Sequence, residues 1–340
     1  MNSYSISRWP LHLIAVMVVL VLAALAVPAA AGANKHKARG VRAEIERGTL
    51  EVTGSGRANR VALRLKDGDT TQVQVDVGDN DSADFSFARS DLNAIKVRMG
   101  PGDDTFRVDE SHGAFTDTIL TTIAGGPGAD SLSGGLGAET FRGGNGRDTV
   151  VGGKGADIAF LGRGRDSFRW DPGDGSDLLD GQRGRDTMVF NGAAVSENVT
   201  MTANGGRLTF FRNPGIVTMD TDGIEVVDFN ALGGSDDVTV NDLTGTDVRR
   251  TNLDLAGTLG GNAGDGANDN VVVNGTNGDD NIKVDGTGAG ADVTGLATAV
   301  SIKHAESTDR LSVNTLAGSD NVLASGVAGV LQVLVDATPL

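Results

Sequence analysis

The sequence lacks cysteine entirely and is poor in aromatic residues. With no Cys, the chain has neither disulfide bonds nor thiolate metal ligands, so its stability must come from other interactions. Aromatic residues make up only 4% of the chain, and no stretch shows convincing helical periodicity. These shortages argue against an ordinary globular domain.

Glycine and acidic residues are abundant instead. The 340 residues include 50 glycines, and the hydrophobic 39% is spread thinly along the chain, which favours an elongated solenoid. The net charge is −16, and residues 191–340 contribute 20 acidic but only 7 basic side chains. Such a surface would repel nucleic acid and anionic membranes, and it is compatible with cations. It would equally serve to keep a large β-protein soluble.

The amino terminus predicts export. Arg8 precedes an uncharged run over residues 9–33, with an apolar stretch at residues 13–27 and small residues at Ala29 and Ala31. This pattern is typical of a cleaved signal peptide over residues 1–33, and an uncleaved membrane anchor is the alternative. In either case the rest of the chain leaves the cytoplasm, and no later segment could span a bilayer.

Residues 34–124 contain short alternating runs, for example residues 61–65 and 71–77. Alternation of apolar and polar residues, interrupted by Gly, Asp and Asn, predicts strands joined by turns. We expect this region to form β-strands or β-helix coils.

The centre repeats every nine residues from Gly125 to Val189, a segment termed here the array. Its seven units are GGPGADSLS, GGLGAETFR, GGNGRDTVV, GGKGADIAF, LGRGRDSFR, PGDGSDLLD and GQRGRDTMV, with Trp170 and Asp171 inserted after the fifth. Position four is always Gly, position six is Asp or Glu, and position eight is always apolar. Such a strict period predicts a repeat architecture rather than a flexible glycine-rich linker.

The residue types explain the expected geometry of a unit. Glycine allows the positive φ angles of a sharp turn, and the last three residues form a short strand with position eight pointing inward. Two units complete one coil, so that turns two units apart stack and bring carbonyl and carboxylate oxygens together. Because the ligands are all hard oxygens, they favour Ca²⁺ over zinc or copper. The predicted ligands are Asp130, Glu139, Asp148, Asp157, Asp166, Asp177, Asp186, Gly126, Gly128, Gly144, Gly146, Gly162 and Gly164.

Stacking of alternate units predicts which acids meet. The expected pairs are Asp130 with Asp148, Asp148 with Asp166, Glu139 with Asp157, Asp157 with Asp177, and Asp166 with Asp186, giving at most five sites. The insertion makes the two pairs that cross it less secure, and the longer Glu139 could misplace its oxygen. Asp130 is expected at the edge of the series.

After the array the strict repeat stops, but its endings recur as GGSDDVTV, NGDDNIKV and AGSDNVLA, and MGPGDDTFR precedes the array. Residues 191–340 therefore predict degenerate coils of a parallel β-helix. These endings give further calcium candidates, which are alternatively turn residues of metal-free coils: Asp104, Asp236, Asp280 and Asp320.

The units resemble the nonapeptide GGxGxDxUx of the RTX, or haemolysin-type, calcium-binding proteins. The resemblance implies a secreted β-roll that is disordered without calcium and folds on binding it after export. The chain departs from the pattern by carrying basic residues at positions three or five, which would weaken calcium binding in the later units: Arg147, Lys154, Arg163, Arg165, Arg183 and Arg185.

The fold predicted from the whole sequence is all-β, with a parallel β-roll at residues 125–190 continued on both sides by irregular parallel β-helix coils. The function predicted is calcium binding by an exported repeat protein, with no nucleic acid, no other cofactor, and a membrane contact only if the amino-terminal segment is uncleaved. A structural or adhesive cell-surface or matrix protein is the alternative, and a β-helix enzyme acting on polysaccharide is a weaker one. The chain has no protease, lipase or phosphate-loop motif, so we expect no enzyme.

Overall fold

The computed structural model describes residues 36–339. The predicted signal peptide over residues 1–33, with its alternative as a membrane anchor, lies outside the described residues. Between residues 36 and 339 there is no helix long and apolar enough to cross a membrane.

Nearly all regular structure lies in two long β-sheets that enclose one apolar core. The first sheet has 16 strands: β1 (His36–Ala38), β2 (Val41–Glu46), β3 (Thr49–Thr53), β7 (Ala94–Arg98), β9 (Leu120–Pro127), β11 (Glu139–Gly146), β13 (Ile158–Gly164), β15 (Leu178–Gly184), β17 (Asn198–Asn204), β18 (Arg207–Asn213), β19 (Val217–Asp222), β21 (Asp237–Val240), β23 (Asn270–Asn274), β27 (Arg310–Asn314), β29 (Gln332–Val335) and β30 (Thr338–Pro339). The second has 14: β4 (Arg60–Lys66), β5 (Asp69–Val77), β6 (Phe85–Ala88), β8 (Thr105–Asp109), β10 (Ser131–Ser133), β12 (Thr149–Val151), β14 (Ser167–Trp170), β16 (Thr187–Asn191), β20 (Val226–Asn230), β22 (Arg250–Asp254), β24 (Asn281–Gly286), β25 (Gly290–Thr294), β26 (Ala299–Lys303) and β28 (Asn321–Ser325). A 3₁₀ turn occurs at Arg89–Asp91.

Strands of the array alternate between the two sheets, so that two units form one coil. Parallel pairing joins Ser131 to Thr149 in the second sheet and Thr140 to Ile158 in the first, a step of two units in each case. The all-β fold with a central parallel β-roll is thereby confirmed.

Position eight of each unit points into the space between the sheets. All seven of these side chains have relative exposures of 0 or 1%: Leu132, Phe141, Val150, Ala159, Phe168, Leu179 and Met188. The neighbouring positions seven and nine are intermediate or exposed in most units, as the period of two in a strand requires. The core is therefore a column of apolar side chains, with one layer from each coil.

The insertion of Trp170 and Asp171 lengthens one coil without breaking the stack. Trp170 extends β14 and lies parallel to Phe190 of the next coil, with ring centroids 4.0 Å apart. Its indole nitrogen donates a hydrogen bond to the Gly175 carbonyl oxygen at 2.7 Å. Strand pairing continues across the insertion with Ser167 beside Thr187, so the extra residues add core packing.

The flanks of the array add antiparallel meanders to the parallel coils, which the sequence did not reveal. Four such meanders occur, formed by β1–β2–β3, β4–β5–β6, β17–β18–β19 and β24–β25–β26. The turn between β2 and β3 has positive φ at Arg47 and Gly48, 49° and 79°, as tight hairpins require. Such short turns fold the chain back within one sheet before it crosses to the other.

The continuous core predicts a large effect of truncating one of its layers. Phe168→Ala should lower the free energy of unfolding by about 3 to 5 kcal/mol, because a buried aromatic ring is lost and its site cannot collapse. Leu323→Ala, at a side chain 60% exposed, should change it by less than about 0.5 kcal/mol. Urea unfolding at saturating calcium measures both, and similar losses for the two variants would contradict the proposed core.

Candidate metal centre

Position-six carboxylates of alternate units stand in rows at the edges of the solenoid. In each row, one carboxylate oxygen accepts a hydrogen bond from the main-chain N–H of the position-six residue one coil earlier. The bonds from Asp130 to Asp148 and from Asp148 to Asp166 measure 2.9 and 2.8 Å. The backbone turn and the acid of the next coil therefore fix each other.

All five predicted pairs are brought together by this bond. The main-chain nitrogen of Glu139 lies 2.7 Å from Asp157, and the two pairs that cross the insertion, Asp157 with Asp177 and Asp166 with Asp186, have distances of 2.9 and 2.8 Å. The pairing of position-six residues is thus unchanged in the longer coil, because the extra residues lie at the end of β14 and in the loop before the next turn.

The first row extends beyond the array at both ends. The main-chain nitrogen of Asp104 donates to Asp130 at 2.9 Å, and that of Asp186 donates to Glu225 at 2.6 Å. Asp130, although at the array's edge, is therefore linked to Asp104 as well as to Asp148, its one predicted partner. We call Asp104, Asp130, Asp148, Asp166 and Asp186 the first row, and Glu139, Asp157 and Asp177 the second row.

Each member of the two rows keeps a second carboxylate oxygen that is buried and contacts no hydrogen-bond donor of the described residues. Their side chains are almost fully buried, with relative exposures of 0 to 4%. The unpartnered oxygens are Oδ2 of Asp104, Asp130, Asp148, Asp157, Asp166, Asp177 and Asp186, and Oε1 of Glu139. A buried anionic oxygen without a partner is costly, so its regular occurrence points to a cation.

Main-chain carbonyl oxygens converge on the unpartnered carboxylate oxygens. A Cβ built on Gly125 would lie within 3 Å of both Asp130 Oδ2 and the Gly143 carbonyl oxygen. On Gly143 it would meet Asp148 Oδ2 and the Leu161 carbonyl oxygen in the same way. The first glycine of a unit therefore leaves room for a group of oxygen atoms, which are the ligands that Ca²⁺ prefers.

The glycines at positions two and four form columns along the same edge. Gly144 and Gly146 have φ angles of 126° and 142°, and a Cβ on either would overlap the carbonyl oxygen of Gly126 or Gly128 in the preceding coil. The same close approach holds for the other predicted glycine ligands, Gly126, Gly128, Gly162 and Gly164. The columns also include Gly100 and Gly102, so the isolated unit before the array joins it.

Burial raises the pKa values of the row carboxyls. Desolvation is the largest cause in every case, and it raises the pKa of Asp148 to about 7 and that of Asp157 to about 9. At Asp148, Asp157 and Asp186 neighbouring row members add to the rise of the pKa, and no basic side chain opposes it in either row of the array. The fold thus contains closely spaced acids without an internal counter-charge.

A third row occurs after the array, and most of its members escaped prediction. Glu197, Asp236, Asp269 and Asp309 are linked by the same main-chain bond at 2.8, 2.9 and 3.0 Å. Each lies two residues before a buried apolar side chain. The signal available in the sequence was therefore an acidic residue, then any residue, then an apolar residue. Without the glycines this signal is short and common, which is why only Asp236 was identified.

The members of this row and the remaining candidates differ in their partners. Asp236 keeps an unpartnered buried Oδ2, whereas Glu197 receives the buried guanidinium of Arg212. Asp280 is linked to Asp320 at 2.9 Å, but both its oxygens also accept bonds from Thr276. Asp104 and Asp236 thus resemble the acids of the array, whereas Asp280 and Asp320 do not.

A cation bound at this edge of the solenoid would need main-chain oxygens as well as side-chain oxygens as ligands. Over the described residues, no group of three or more His, Cys, Asp or Glu side chains is placed to hold a metal ion. Instead, an unpartnered carboxylate oxygen lies close to a main-chain carbonyl oxygen of the next coil, as Asp130 does to Gly143 and Asp148 to Leu161. The donor set fits Ca²⁺, which accepts six to eight oxygen ligands in irregular geometry.

Comparison with known families agrees with this chemistry. The model of the RTX calcium-binding nonapeptide repeat, which spans 4 copies, matches residues 121–150, 133–168 and 173–192. No curated protein and no solved structure matches the chain. Repeats of this family bind Ca²⁺, and the matched residues contain most of the first two carboxylate rows.

The raised pKa values predict an unusual pH dependence of the metal-free chain. Between an unfolded value of about 4 and folded values of about 7 for Asp148 and about 9 for Asp157, the folded state binds more protons, so the free energy of unfolding falls as pH rises through this window. In chelator, circular dichroism should therefore show more β-structure at pH 5.5 than at pH 8.5. With calcium present, the affinity should rise over the same window, because ions bind the deprotonated acids. A metal-free chain that gains structure towards pH 8.5 would contradict the burial of these carboxyls.

Proposed function

Because the array consists of RTX calcium-binding nonapeptide repeats, we propose that calcium ions held between its turns fold the exported chain into a solenoid outside the cytoplasm. The observation that carries the proposal is the pair of rows of buried acids, each with one oxygen that no donor satisfies. A divalent cation supplies the positive charge that these acids otherwise lack.

The residues proposed to hold the ions come from turns one coil apart. Carboxylates of neighbouring row members contribute the charged ligands, and carbonyl oxygens of the turn glycines contribute the neutral ones. In the first row these are Asp130, Asp148, Asp166 and Asp186 with Gly126, Gly128, Gly144, Gly146, Gly162 and Gly164, and in the second Glu139, Asp157 and Asp177.

The sites are not equivalent. Five pairs lie within the array, and Asp104 with Asp130 adds a sixth of the same geometry. Glu139 differs because its Oε2 accepts the N–H of Gly135 in its own turn at 2.8 Å, while Oε1 is the unpartnered oxygen. We therefore expect the weakest binding in the second row at Glu139.

Folding and binding should be coupled, because a site exists only when two turns are stacked. Calcium modules outside the cell bind at about 10⁻⁴ to 10⁻³ M, so the ion would be scarce in the cytoplasm and sufficient outside. Residues 1–33 would direct secretion, and residues 34–124 and 191–340 would stack upon the array once it folds. This leaves a calcium-stabilised surface or matrix component as the broader role, without a catalytic step.

The first test is calcium titration of the full mature chain after chelation. Circular dichroism should show a cooperative gain of β-structure with a midpoint at about 10⁻⁴ to 10⁻³ M calcium. Magnesium at the same concentration should produce little change, since it demands a small octahedral shell that these turns do not offer. Absence of any structural gain, together with no heat of calcium binding, would refute the proposal.

The second test separates acids with an unpartnered oxygen from those without. Asp148→Asn keeps the shape and the accepted main-chain bond but removes the charge from two neighbouring pairs, so the calcium midpoint should rise about tenfold. Asp280→Asn and the exposed Asp67→Asn should leave the midpoint unchanged, because neither removes an unpartnered oxygen. An effect at Asp280 as large as at Asp148 would contradict the assignment of ligands.

A further inference from the structure

Three of the four corners between the two sheets on the first-row edge of the array contain one exposed arginine followed by one buried aspartate, whereas the first has Ala129 before Asp130. The corner from β11 to β12 contains Arg147 and Asp148, and the next two coils repeat it with Arg165 and Arg185 as the exposed residues. Paired strands lie about 4.8 Å apart, so the three arginines recur at that interval along the solenoid. We call these three residues the arginine row.

Two more arginines lie on the same edge, each at position three of the unit that also contains Arg165 or Arg185. Arg163 and Arg183 are partners in the register of β13 and β15, and both are exposed. Three consecutive coils therefore place five arginines on this edge, in a chain whose net charge is −16. Like charges at this spacing repel one another, which destabilises the edge unless anions approach it.

No acid of the described residues forms an ion pair with these arginines. Among residues 36–339, none of the five forms an ion pair or a side-chain hydrogen bond. The buried aspartates beside them do not serve as partners, since no arginine lowers the pKa of Asp148, Asp166 or Asp186. The guanidinium groups are therefore available to a ligand from solvent.

A row of hydroxyl groups accompanies the arginine row. Thr149, Ser167 and Thr187 occupy the first positions of neighbouring strands in exact register, each two residues after an arginine. The two rows line one surface groove of about 520 Å³, whose lining also includes Asp166, Val189, Val226 and Asp228. Each coil thus presents a guanidinium and a hydroxyl to the same groove.

We propose that this groove binds an acidic polysaccharide, a sugar chain bearing carboxylate or sulfate groups, laid along the solenoid axis. Guanidinium groups bind such oxyanions through two parallel hydrogen bonds, and hydroxyls suit the polar groups of the sugar rings. A nucleic acid is less suited, because binding of single strands relies on stacking of bases on aromatic rings, and no aromatic residue lines the groove. Three of the six basic residues that depart from the calcium-repeat pattern, Arg147, Arg165 and Arg185, thereby gain a role beyond calcium binding.

The test measures anisotropy of a fluorescent heparin dodecasaccharide with the calcium-loaded full chain. Replacing Arg147, Arg165 and Arg185 together by Gln should weaken binding about tenfold or more, as expected for the loss of three exposed charge contacts. The matched control replaces Arg57, Arg250 and Arg310 by Gln, which changes net charge equally at exposed positions elsewhere, and it should alter affinity less than about twofold. Lysine at the three row positions should restore part of the affinity, because the charge returns without the planar fork.

Several results would overturn the inference. Equal losses in both triple variants would show that only net charge matters, and tighter binding of an oligothymidylate of matched charge would assign the groove to nucleic acid. If the unmodified chain self-associates in sedimentation and the row variant does not, the arginines contact a second copy instead. A calcium midpoint shifted in the row variant but not in the control would make the arginines structural. Because the binding measurements use the calcium-loaded chain, failure to bind the polysaccharide leaves the proposed calcium function intact.

Discussion

The solenoid depends on one contact, the hydrogen bond from a main-chain N–H at a corner to the carboxylate of the corresponding corner one coil later. This contact fixes the register, because it forms only when position six of one unit lies above position six of the unit two places on. It also buries the carboxylate, whose other oxygen then faces carbonyl oxygens rather than donors. The glycines follow from the same constraint, since a Cβ at positions one, two or four would occupy the space these oxygens require.

The contact stabilises the fold only if the buried charge is offset. Burial, reinforced by the charges of nearby acids, raises the pKa values of Asp148, Asp157 and Asp177 towards or above neutrality, which means that the ionised rows oppose folding. Glu197 shows the other solution available to a protein, because the guanidinium of Arg212 approaches it within the core and packs over Trp170. Within the array no side chain plays this part, and a bound cation is the physical equivalent. Under the proposed function, folding and metal binding would be a single event.

The flanks show how far the same principle extends without the nonapeptide. The third row repeats the corner contact over coils of 33 to 40 residues, which are long enough to include loops and meanders. Its strands need no glycine columns, because the corners are farther apart in sequence and the loops between them vary. At the array, by contrast, short corners force an exposed side chain to follow each glycine, and three of those side chains are arginines. The surface chemistry of that edge is therefore a consequence of the same tight turns.

The sequence alone determined the repeat, the inward position, the two-unit coil and the oxygen chemistry of the corners, because each nonapeptide specifies its own turn and strand locally. It indicated Asp148, Asp157 and their partners for the same reason. Only the tertiary structure decided that Asp130 continues to Asp104, that Glu225, Asp269 and Asp309 occupy equivalent corners, and that Asp280 is already satisfied by Thr276. Apart from the local contact between Asp280 and Thr276, these contacts join residues that are 26 to 40 positions apart in the sequence. The loops between them differ in length, so no fixed sequence period indicates which residues meet. The antiparallel meanders and the stacking of Trp170 on Phe190 also depend on the tertiary structure, because folding of the coils determines which strands become neighbours.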